Sequence, residues 1–261
     1  MRRGGSVEAV HRVHVRSTTG DAYGDDFHSF FRSSLKPVQA IPLLEGYDDL
    51  GDDELAIASA SHQAEPAQLD AVRKLLGRAG ATVDDLENGL QEGRPDGKLG
   101  HNCSGKHAGM LAACRAHGWP LHPYRSLEHP LQQRISELVG EADVGVDGCS
   151  VPTFAMPLSR MCEVFLQTPS RIREAMGARP ELVGGEGSAD TELMRARPGW
   201  FAKGGAEGLF CVSDGTNAWA LKAEDGAFRA MRPALARLFD IDAFREVEVR
   251  NSRGEVVGSI S

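Results

Sequence analysis

The amino-acid sequence predicts an α+β fold in which strands from both ends of the chain form one antiparallel sheet. Period-two apolar patterns occur in residues 7–16 and again in residues 208–222, whereas helical spacing of apolar residues dominates between them. The length of 261 residues, 41% hydrophobic and 25% charged content are typical of a globular protein. We find no repeat, low-complexity tract or linker, and therefore expect one domain over residues 1–261, with helices flanking the sheet and a helical middle.

The first third of the chain is predicted to place a short helix after an opening hairpin. Residues 7–16 read as a strand, and the turn signals Gly20-Asp21 and Gly24-Asp25 precede the apolar residues 27–31. A buried helix then follows Pro37, and residues 55–58 form a short buried run. The next helix is bounded by Pro66 and Gly80, and residues 88–98 read as a loop.

The rest of the chain is predicted as helices followed by a hairpin, a helix and two strands. Helical patterns cover residues 106–117, 131–139, 170–176 and 189–196, with a further helix opened by Pro157 after a glycine-rich segment at 145–152. Residues 214–217 form the turn of the hairpin. The chain then ends in a predicted helix at 227–238 and strands at 246–250 and 255–260.

Charge and hydropathy exclude several classes of function. The net charge of −8 argues against nucleic acid or an anionic membrane surface as the main partner. No stretch approaches the roughly 20 apolar residues of a membrane-spanning helix, and the basic N-terminus lacks the apolar core of a signal peptide. Five cysteines are an odd number and are scattered, which suits a reducing compartment. We therefore expect a cytoplasmic protein.

The motif Ser33-Ser-Leu-Lys36 is a candidate nucleophile and base. Residues three apart on a helix lie about 5–6 Å apart at Cβ, so a lysine nitrogen can meet a serine Oγ. Ser-x-x-Lys is a signature of serine β-lactamases and penicillin-binding proteins, in which a distant Lys-Thr-Gly completes the site. Lys203-Gly-Gly resembles that second element with the threonine replaced. An arbitrary Ser-x-x-Lys is more often a solvated helix start with the serine as N-cap.

A second informative stretch is His101-Asn-Cys-Ser-Gly-Lys-His107. Together with Gly100 it resembles a phosphate-binding loop, but His107 replaces the Mg²⁺-binding hydroxyl and no buried strand precedes it. Cys103 lies where a helix N-terminus lowers a thiol pKa, and Cys149 offers a second thiolate in an irregular loop. The residues alone leave open a nucleophile, a packing role, or a zinc site of two cysteines and a nitrogen donor.

Several motifs, in order, resemble those of the asparaginase II family, the rhizobial-type L-asparaginases. They are Arg32-Ser-Ser-Leu-Lys-Pro37, Ala60-Ser-His62, His101-Asn-Cys-Ser-Gly-Lys-His-Ala-Gly-Met110, Asp147-Gly-Cys149 and Lys203-Gly-Gly-Ala-Glu-Gly208. The resemblance extends to both ends of the chain, and the heptapeptide at 101–107 is highly specific. It implies a serine β-lactamase/transpeptidase-like fold, hydrolysis of L-asparagine to L-aspartate and ammonia, a homodimer, and one zinc ion near the active site.

The resemblance also implies roles for individual residues. Ser33 would be the nucleophile and Lys36 its base, and Ser61 and Lys203 would form a second Ser–Lys pair beside them. Cys103, Lys106 and Cys149 would bind the zinc ion, which we expect to orient the substrate. Arg32, His107 and Asp147 would line the substrate site.

Some features separate the remaining alternatives. A β-lactamase or transpeptidase would carry a Ser-x-Asn or Tyr-x-Asn triplet, and the sequence contains neither. The chain is shorter than expected for the family, and Ala64 stands where glycine is expected. Another serine amidohydrolase or esterase on the same fold, and a zinc-stabilised binding protein without catalysis, remain as alternative functions.

Overall fold

Strands and helices alternate in blocks along the chain, and the computed structural model describes all of residues 1–261. Twelve strands, β1 to β12 in chain order, span Arg2–Arg3, Ser6–Val7, Val13–Ser17, Ala22–Tyr23, His28–Phe30, Asp143–Val146, Pro152–Pro157, Phe201–Gly205, Leu209–Ser213, Ala218–Ala223, Val247–Arg250 and Val256–Ile260. Eleven α-helices, α1 to α11, span Lys36–Gln39, Ile41–Gly46, Asp52–Ala58, Pro66–Ala79, Ser104–His117, Pro130–Val139, Leu158–Leu166, Ser170–Ala178, Pro180–Gly184, Ala189–Ala196 and Met231–Phe239. Four 3₁₀ helices, η1 to η4, span Arg32–Leu35, Val83–Asp85, Phe228–Ala230 and Asp242–Phe244.

The largest sheet has five antiparallel strands in the order β4-β3-β10-β9-β8. Its register pairs Val15 of β3 with Leu221 of β10, and Cys211 of β9 with Lys203 of β8. Strands β8, β9 and β10 are buried along their whole length, because α7 packs against β9 and β10 and α10 packs against β8. The expected pairing of an N-terminal strand with the late hairpin is therefore confirmed.

The expectation that one sheet holds all the strands is wrong, because two further antiparallel sheets are present. Strands β11 and β12 pair with β1 and β2 in a separate four-stranded sheet, with Arg2 opposite Ser259. Strand β5, expected in the opening hairpin, instead pairs with β7 in a three-stranded sheet that β6 completes. Strand β7 is buried almost throughout, so it lacks the alternating pattern that would have indicated a strand.

The helices follow the sequence pattern except where proline interrupts them. Helix α4 begins at Pro66 and ends before Gly80, whose φ of +61° closes it as predicted. The helix expected after Pro37 is divided into α1 and α2, because Pro42 has no N–H to bond the preceding turn. The buried run at 55–58 belongs to helix α3, whereas residues 88–98 form a loop as expected.

A continuous core of 66 buried apolar residues connects the sheets and helices. Helices α3 and α4 both pack against α5. The contact with α3 requires Gly105, because a Cβ there would lie 2.3 Å from the Ile57 carbonyl oxygen. No helix of the structure is both long enough and apolar enough to cross a membrane.

Candidate active site

The predicted site residues lie on six segments of the chain, of which η1 packs against strand β8 at the edge of the five-stranded sheet. These segments are η1 with Arg32 and Ser33, the start of α1 with Lys36, the loop after α3 with Ser61, the start of α5 with Cys103, Lys106 and His107, the β6–β7 turn with Asp147 and Cys149, and strand β8 with Lys203.

The 3₁₀ helix η1 is held closely against strand β8. Ser34 Oγ donates a hydrogen bond to the Lys203 carbonyl oxygen at 2.8 Å. A Cβ on Gly205 would lie 3.0 Å from Ser34 Oγ, so glycine permits this close approach. Arg32, at the start of η1, adopts φ = +49°, a left-handed conformation that is costly for a residue with a Cβ. The segment that carries Ser33 is thus fixed in position and locally strained.

Lys36 is fully buried and contacts a serine hydroxyl, but that serine is Ser61. Lys36 Nζ lies 3.0 Å from Ser61 Oγ and 2.5 Å from the Ala60 carbonyl oxygen. Burial, helped by the positive charges of Lys203 and Lys106, lowers the pKa of Lys36 to about 8 against the opposing effect of Cys103. At pH 7 about one tenth of Lys36 is therefore the neutral amine, far more than for an exposed lysine.

Ser33 lies one turn before Lys36 and is partly exposed. Its carbonyl oxygen accepts a hydrogen bond from the Lys36 N–H, and the structure forms no hydrogen bond between Lys36 Nζ and Ser33 Oγ. The hydroxyl of Ser33 is thus available to a ligand, while that of Ser61 is already bonded to the lysine.

Lys203 has a different partner from the one expected. Its Nζ forms a buried ion pair with Asp190 Oδ1 at 3.4 Å, and the same oxygen accepts a hydrogen bond from Gly204 N–H. The predicted pairing of Ser61 with Lys203 is not formed in this structure. Asp190 was missed in the sequence, although its place in the first turn of α10, two residues after the N-cap Ser188, is a usual position for a carboxylate.

Two thiols and an amine converge between α5 and the β6–β7 turn. Lys106 Nζ lies 2.9 Å from Cys149 Sγ, and Cys103, whose Sγ lies 3.1 Å from Asn102 Oδ1, is buried close to Cys149. The Cys149 side chain holds the pKa of Cys103 well below its usual range although burial opposes it, whereas the Cys103 side chain and burial raise the pKa of Cys149 to about 11. Although burial opposes it, the nearby thiols raise the pKa of Lys106. Cys103 is therefore the more acidic of the two thiols.

No group of three or more His, Cys, Asp and Glu side chains is arranged to hold a metal ion. The sequence hypothesis of a zinc site at Cys103 and Cys149 therefore depends on Lys106 as the third ligand.

The residues expected to line the substrate site occupy two different environments. Arg32 Nε donates to Asp147 Oδ1 at 2.5 Å, and Cys149 Sγ lies 3.3 Å from Asp147 Oδ2. Although burial opposes it, the positive charges of Lys106 and Arg32 lower the pKa of Asp147. His107 is instead fully buried, with its Nδ1 2.7 Å from the Tyr124 hydroxyl, and burial lowers its pKa to about 4. It adjoins the thiol cluster and has no exposed surface of its own.

The loop after α3 is supported by a second buried histidine, His62, which belongs to the Ala60-Ser-His62 motif but was given no role from the sequence. Ser104 Oγ donates to the Leu99 carbonyl oxygen, so His62 Nε2 must donate to Ser104 Oγ, while His62 Nδ1 accepts from Ala64 N–H. Burial lowers the pKa of His62 to about 3, so the ring is neutral. Ala64 adopts φ = +63°, which explains physically why glycine is expected at this position.

Neither the apolar groove of about 400 Å³ between β3 and α11 nor a larger polar one of about 670 Å³ between α8 and α10 contains a predicted site residue. The side-chain arrangement, and not the size of a cavity, therefore identifies the candidate active site.

A mixed α/β fold that buries a lysine of lowered pKa against a serine hydroxyl, beside a thiol pair, is typical of a catalytic site. A protein-family model described as L-asparaginase II matches residues 1–261, and the chain belongs to that family. No curated protein matches the chain.

Proposed function

We propose that the protein hydrolyses L-asparagine to L-aspartate and ammonia through a serine ester intermediate. The observation that carries the proposal is the Lys36 amine, which is fully buried, has a pKa of about 8 and lies 3.0 Å from a serine hydroxyl in a chain of the L-asparaginase II family. A neutral amine at this distance can accept a hydroxyl proton near neutral pH.

The reaction needs a nucleophile with a free hydroxyl, and Ser33 is our choice. Its Oγ would attack the side-chain amide carbon of asparagine while its proton passes to Lys36, directly or through Ser61. The protonated lysine then gives that proton to the leaving nitrogen, so that ammonia departs and an ester remains on Ser33. A water molecule, deprotonated by the same amine, would hydrolyse the ester and restore Ser33.

Lys203 serves in this proposal as a fixed positive charge. Asp190 holds the Lys203 amine in an ion pair, so Lys203 does not act as the base. The Lys36 amine is instead hydrogen-bonded to the Ser61 hydroxyl. A positive charge near Lys36 favours the neutral amine that catalysis requires. Backbone N–H groups at the start of η1 would stabilise the oxyanion.

We further propose that Cys103, Lys106 and Cys149 hold one Zn²⁺ ion. The donors fit, because two thiols and one amine already lie together. Lys106 Nζ is 2.9 Å from Cys149 Sγ. A tetrahedral ion holds its nitrogen and sulfur ligands about 3.5 Å apart, so these two atoms would need to separate by about 0.6 Å. When bound, the ion would supply a positive charge that orients the α-carboxylate or α-amino end of the substrate. The protein residues alone would carry the proton transfers.

From the resemblance to the family we also propose a serine β-lactamase-like architecture, a single catalytic domain and a homodimer. The antiparallel five-stranded sheet with η1 against its edge strand β8 is consistent with the first. Light scattering after gel filtration would test the dimer.

The activity is tested by measuring ammonia release from L-asparagine and L-glutamine, with a chromogenic β-lactam as a third substrate. We expect turnover of asparagine to be much faster than that of glutamine, and no turnover of the β-lactam. A protein that hydrolyses the β-lactam and leaves asparagine intact would overturn the proposal.

A further inference from the structure

We propose that Asp190 is a positioning residue that holds the Lys203 amine and strand β8 in place relative to the segment that carries Ser33. The inference rests on the proposed function, in which Ser33 is the nucleophile and Lys203 a fixed positive charge. The contacts of Asp190 can nevertheless be tested without an assay of activity.

One peptide group of β8 is bonded by side chains from two other elements. The Lys203 carbonyl oxygen accepts a hydrogen bond from Ser34 Oγ of η1 at 2.8 Å, and the Gly204 N–H donates to Asp190 Oδ1 of α10. Because a peptide group is planar, the two bonds together fix its orientation. Ser34 directly follows Ser33, so this peptide group connects α10 to the segment of the proposed nucleophile.

The same carboxylate oxygen holds the Lys203 amine. Lys203 Nζ lies 3.4 Å from Asp190 Oδ1 and donates to the Gly204 carbonyl oxygen at 2.9 Å. The Lys203 side chain is 1% exposed and that of Asp190 9%, and no other carboxylate lies within ion-pairing distance of this amine. Removing one partner from a buried ion pair leaves the other charge uncompensated. The position of the amine therefore depends on Asp190.

Strand β8 has no side chains at Gly204 and Gly205 to make such bonds itself. A Cβ on Gly204 would lie 2.9 Å from the Phe228 ring, and one on Gly205 would lie 3.0 Å from Ser34 Oγ. Glycine thus lets neighbouring elements approach the strand closely. The polar groups that fix the strand come from those elements, from Ser34 of η1 and Asp190 of α10.

Asp190 is itself held by the start of α10. It lies in the first turn of this helix, where the helix dipole favours a carboxylate. Ser188 Oγ accepts a hydrogen bond from Thr191 N–H at 3.2 Å, and Thr191 Oγ1 donates to the Pro180 carbonyl oxygen at 2.8 Å. The helix packs against β8. The carboxylate therefore reaches the strand from a capped helix end and not from a loop.

A single NMR signal reports on the peptide group that Asp190 and Ser34 share. Lys203 is the only lysine followed by glycine in the sequence, so ¹³C-carbonyl lysine with ¹⁵N-glycine gives one carbon-coupled amide signal, that of Gly204. In the full-length protein we expect its amide proton downfield and slowly exchanging, because a buried charged acceptor binds it. Asp190→Asn should move the proton upfield, and Ser34→Ala should move the carbonyl carbon.

The matched control is Glu192→Gln on the same helix, where the carboxylate pairs with Arg232 instead. It should leave the Gly204 signal unchanged. A Gly204 amide that exchanges rapidly in the wild type, or that keeps its position in Asp190→Asn, would overturn the inference. The wild-type signal decides the contacts if Asp190→Asn does not fold.

The positioning role is tested by ammonia release from L-asparagine. Asp190→Asn keeps an oxygen acceptor for Gly204 N–H, so the change removes mainly the ion pair. We expect kcat to fall at least about tenfold with little change in KM, because a misplaced group loses transition-state stabilisation and not substrate affinity. Since Asp190 acts through Lys203, the Asp190→Asn/Lys203→Met double variant should be no less active than Lys203→Met alone. Glu192→Gln should keep the wild-type kcat and KM.

Losses in kcat that multiply in the double variant, or a full kcat in Asp190→Asn, would contradict a role of Asp190 through Lys203. A wild-type protein that releases no ammonia would overturn the proposed function and this positioning role together. The Gly204 signal shows separately whether the contacts of Asp190 exist.

Discussion

Lys36 shows how the site's central base depends on its surroundings. The lysine is buried at the start of α1, and its amine has only the Ser61 hydroxyl and the Ala60 carbonyl as hydrogen-bond partners. No carboxylate pairs with it, whereas Lys203 has Asp190. Burial lowers the pKa of Lys36 more than the nearby Cys103 raises it, and the neutral amine is a base. The two buried lysines thus have different partners, a hydroxyl for Lys36 and a carboxylate for Lys203.

The assignment of the nucleophile is tested by replacing each serine in turn. We expect Ser33→Ala to lower kcat by at least about 10³-fold, and the Ser33→Ala/Lys36→Met double variant to be little worse, because residues that act as one unit are not additive. Ser61→Ala should lower kcat less, since it removes a proton relay only. Mass spectrometry of protein quenched during turnover should find the ester on Ser33. An ester on Ser61, or full activity of Ser33→Ala, would contradict the assignment.

The dependence on pH follows from the lowered pKa of Lys36. Because the reaction needs the neutral amine, kcat/KM should rise with pH up to about 8 and then level off. Removing the neighbouring positive charge in Lys203→Met raises the pKa of Lys36, so the midpoint of the rise should move to higher pH. Lys222→Met is the matched control, since Lys222 is also buried but is not among the charges that act most strongly on Lys36. An unchanged midpoint in Lys203→Met would contradict this electrostatic role.

At the scale of elements, the loop after α3 carries Ser61 into the site and then turns sharply into α4. The turn requires a left-handed residue at position 64, and Ala64 occupies it with its N–H bonded to His62. A residue with a Cβ is strained in this conformation by about 1 kcal/mol. The site segment is thus held at some cost in stability.

Ala64→Gly should consequently stabilise the protein by about 0.5 kcal/mol, the relief of strain being partly offset by the greater freedom of glycine in the unfolded chain. Gly80→Ala is the reverse change at another left-handed position, φ = +61°, where the nearest atom leaves room for a Cβ. It should destabilise by about 1 kcal/mol. Urea denaturation measures both. A lower denaturation midpoint for Ala64→Gly, beside a destabilised Gly80→Ala, would show that Ala64 is not strained.

Elements with local signals could be predicted from the sequence, and elements defined by distant partners could not. Helix α4 carries its own start and stop residues, Pro66 and Gly80, and matches the prediction. Strand β7 is buried almost throughout and shows no alternation, so nothing local distinguishes it from a loop or helix. Strand β5 was recognised as apolar but assigned to the wrong sheet, because its register with β7 is set across more than 100 residues.

At the scale of the whole molecule, the active site too could be predicted from the sequence only where its signals are local. The motifs identified the chemically active side chains, because a Ser-x-x-Lys and a cysteine at a helix start are visible locally. The partner of each lysine could not be predicted from the motifs. The Lys36 amine bonds Ser61, which is 25 residues away in the sequence. Lys203 pairs with Asp190, which lies on a helix that contains none of the motifs. The tertiary fold alone determines which hydroxyl each lysine contacts.

The proposed zinc ion would join two parts of the molecule that are far apart in the sequence. Cys103 and Lys106 belong to the start of α5, whereas Cys149 lies in the turn between β6 and β7, which Arg32 ties to η1 through Asp147. A ligand that binds only the folded state stabilises it by about 2.7 kcal/mol at 100 times its Kd. Removing zinc with a chelator should therefore lower the Tm by several degrees, and returning Zn²⁺ should restore it.

The same experiment separates an orienting ion from a reactive one. If the ion binds one end of the substrate equally in the ground and transition states, zinc removal or Cys149→Ser raises KM at least about tenfold and changes kcat little. Cys162→Ser is the control, because Cys162 is equally buried but bonds the Arg16 carbonyl outside the cluster. It should leave KM and zinc content unchanged. A loss of kcat at constant KM would contradict the orienting role, and a Cys103–Cys149 disulfide in the active protein would contradict the zinc site itself.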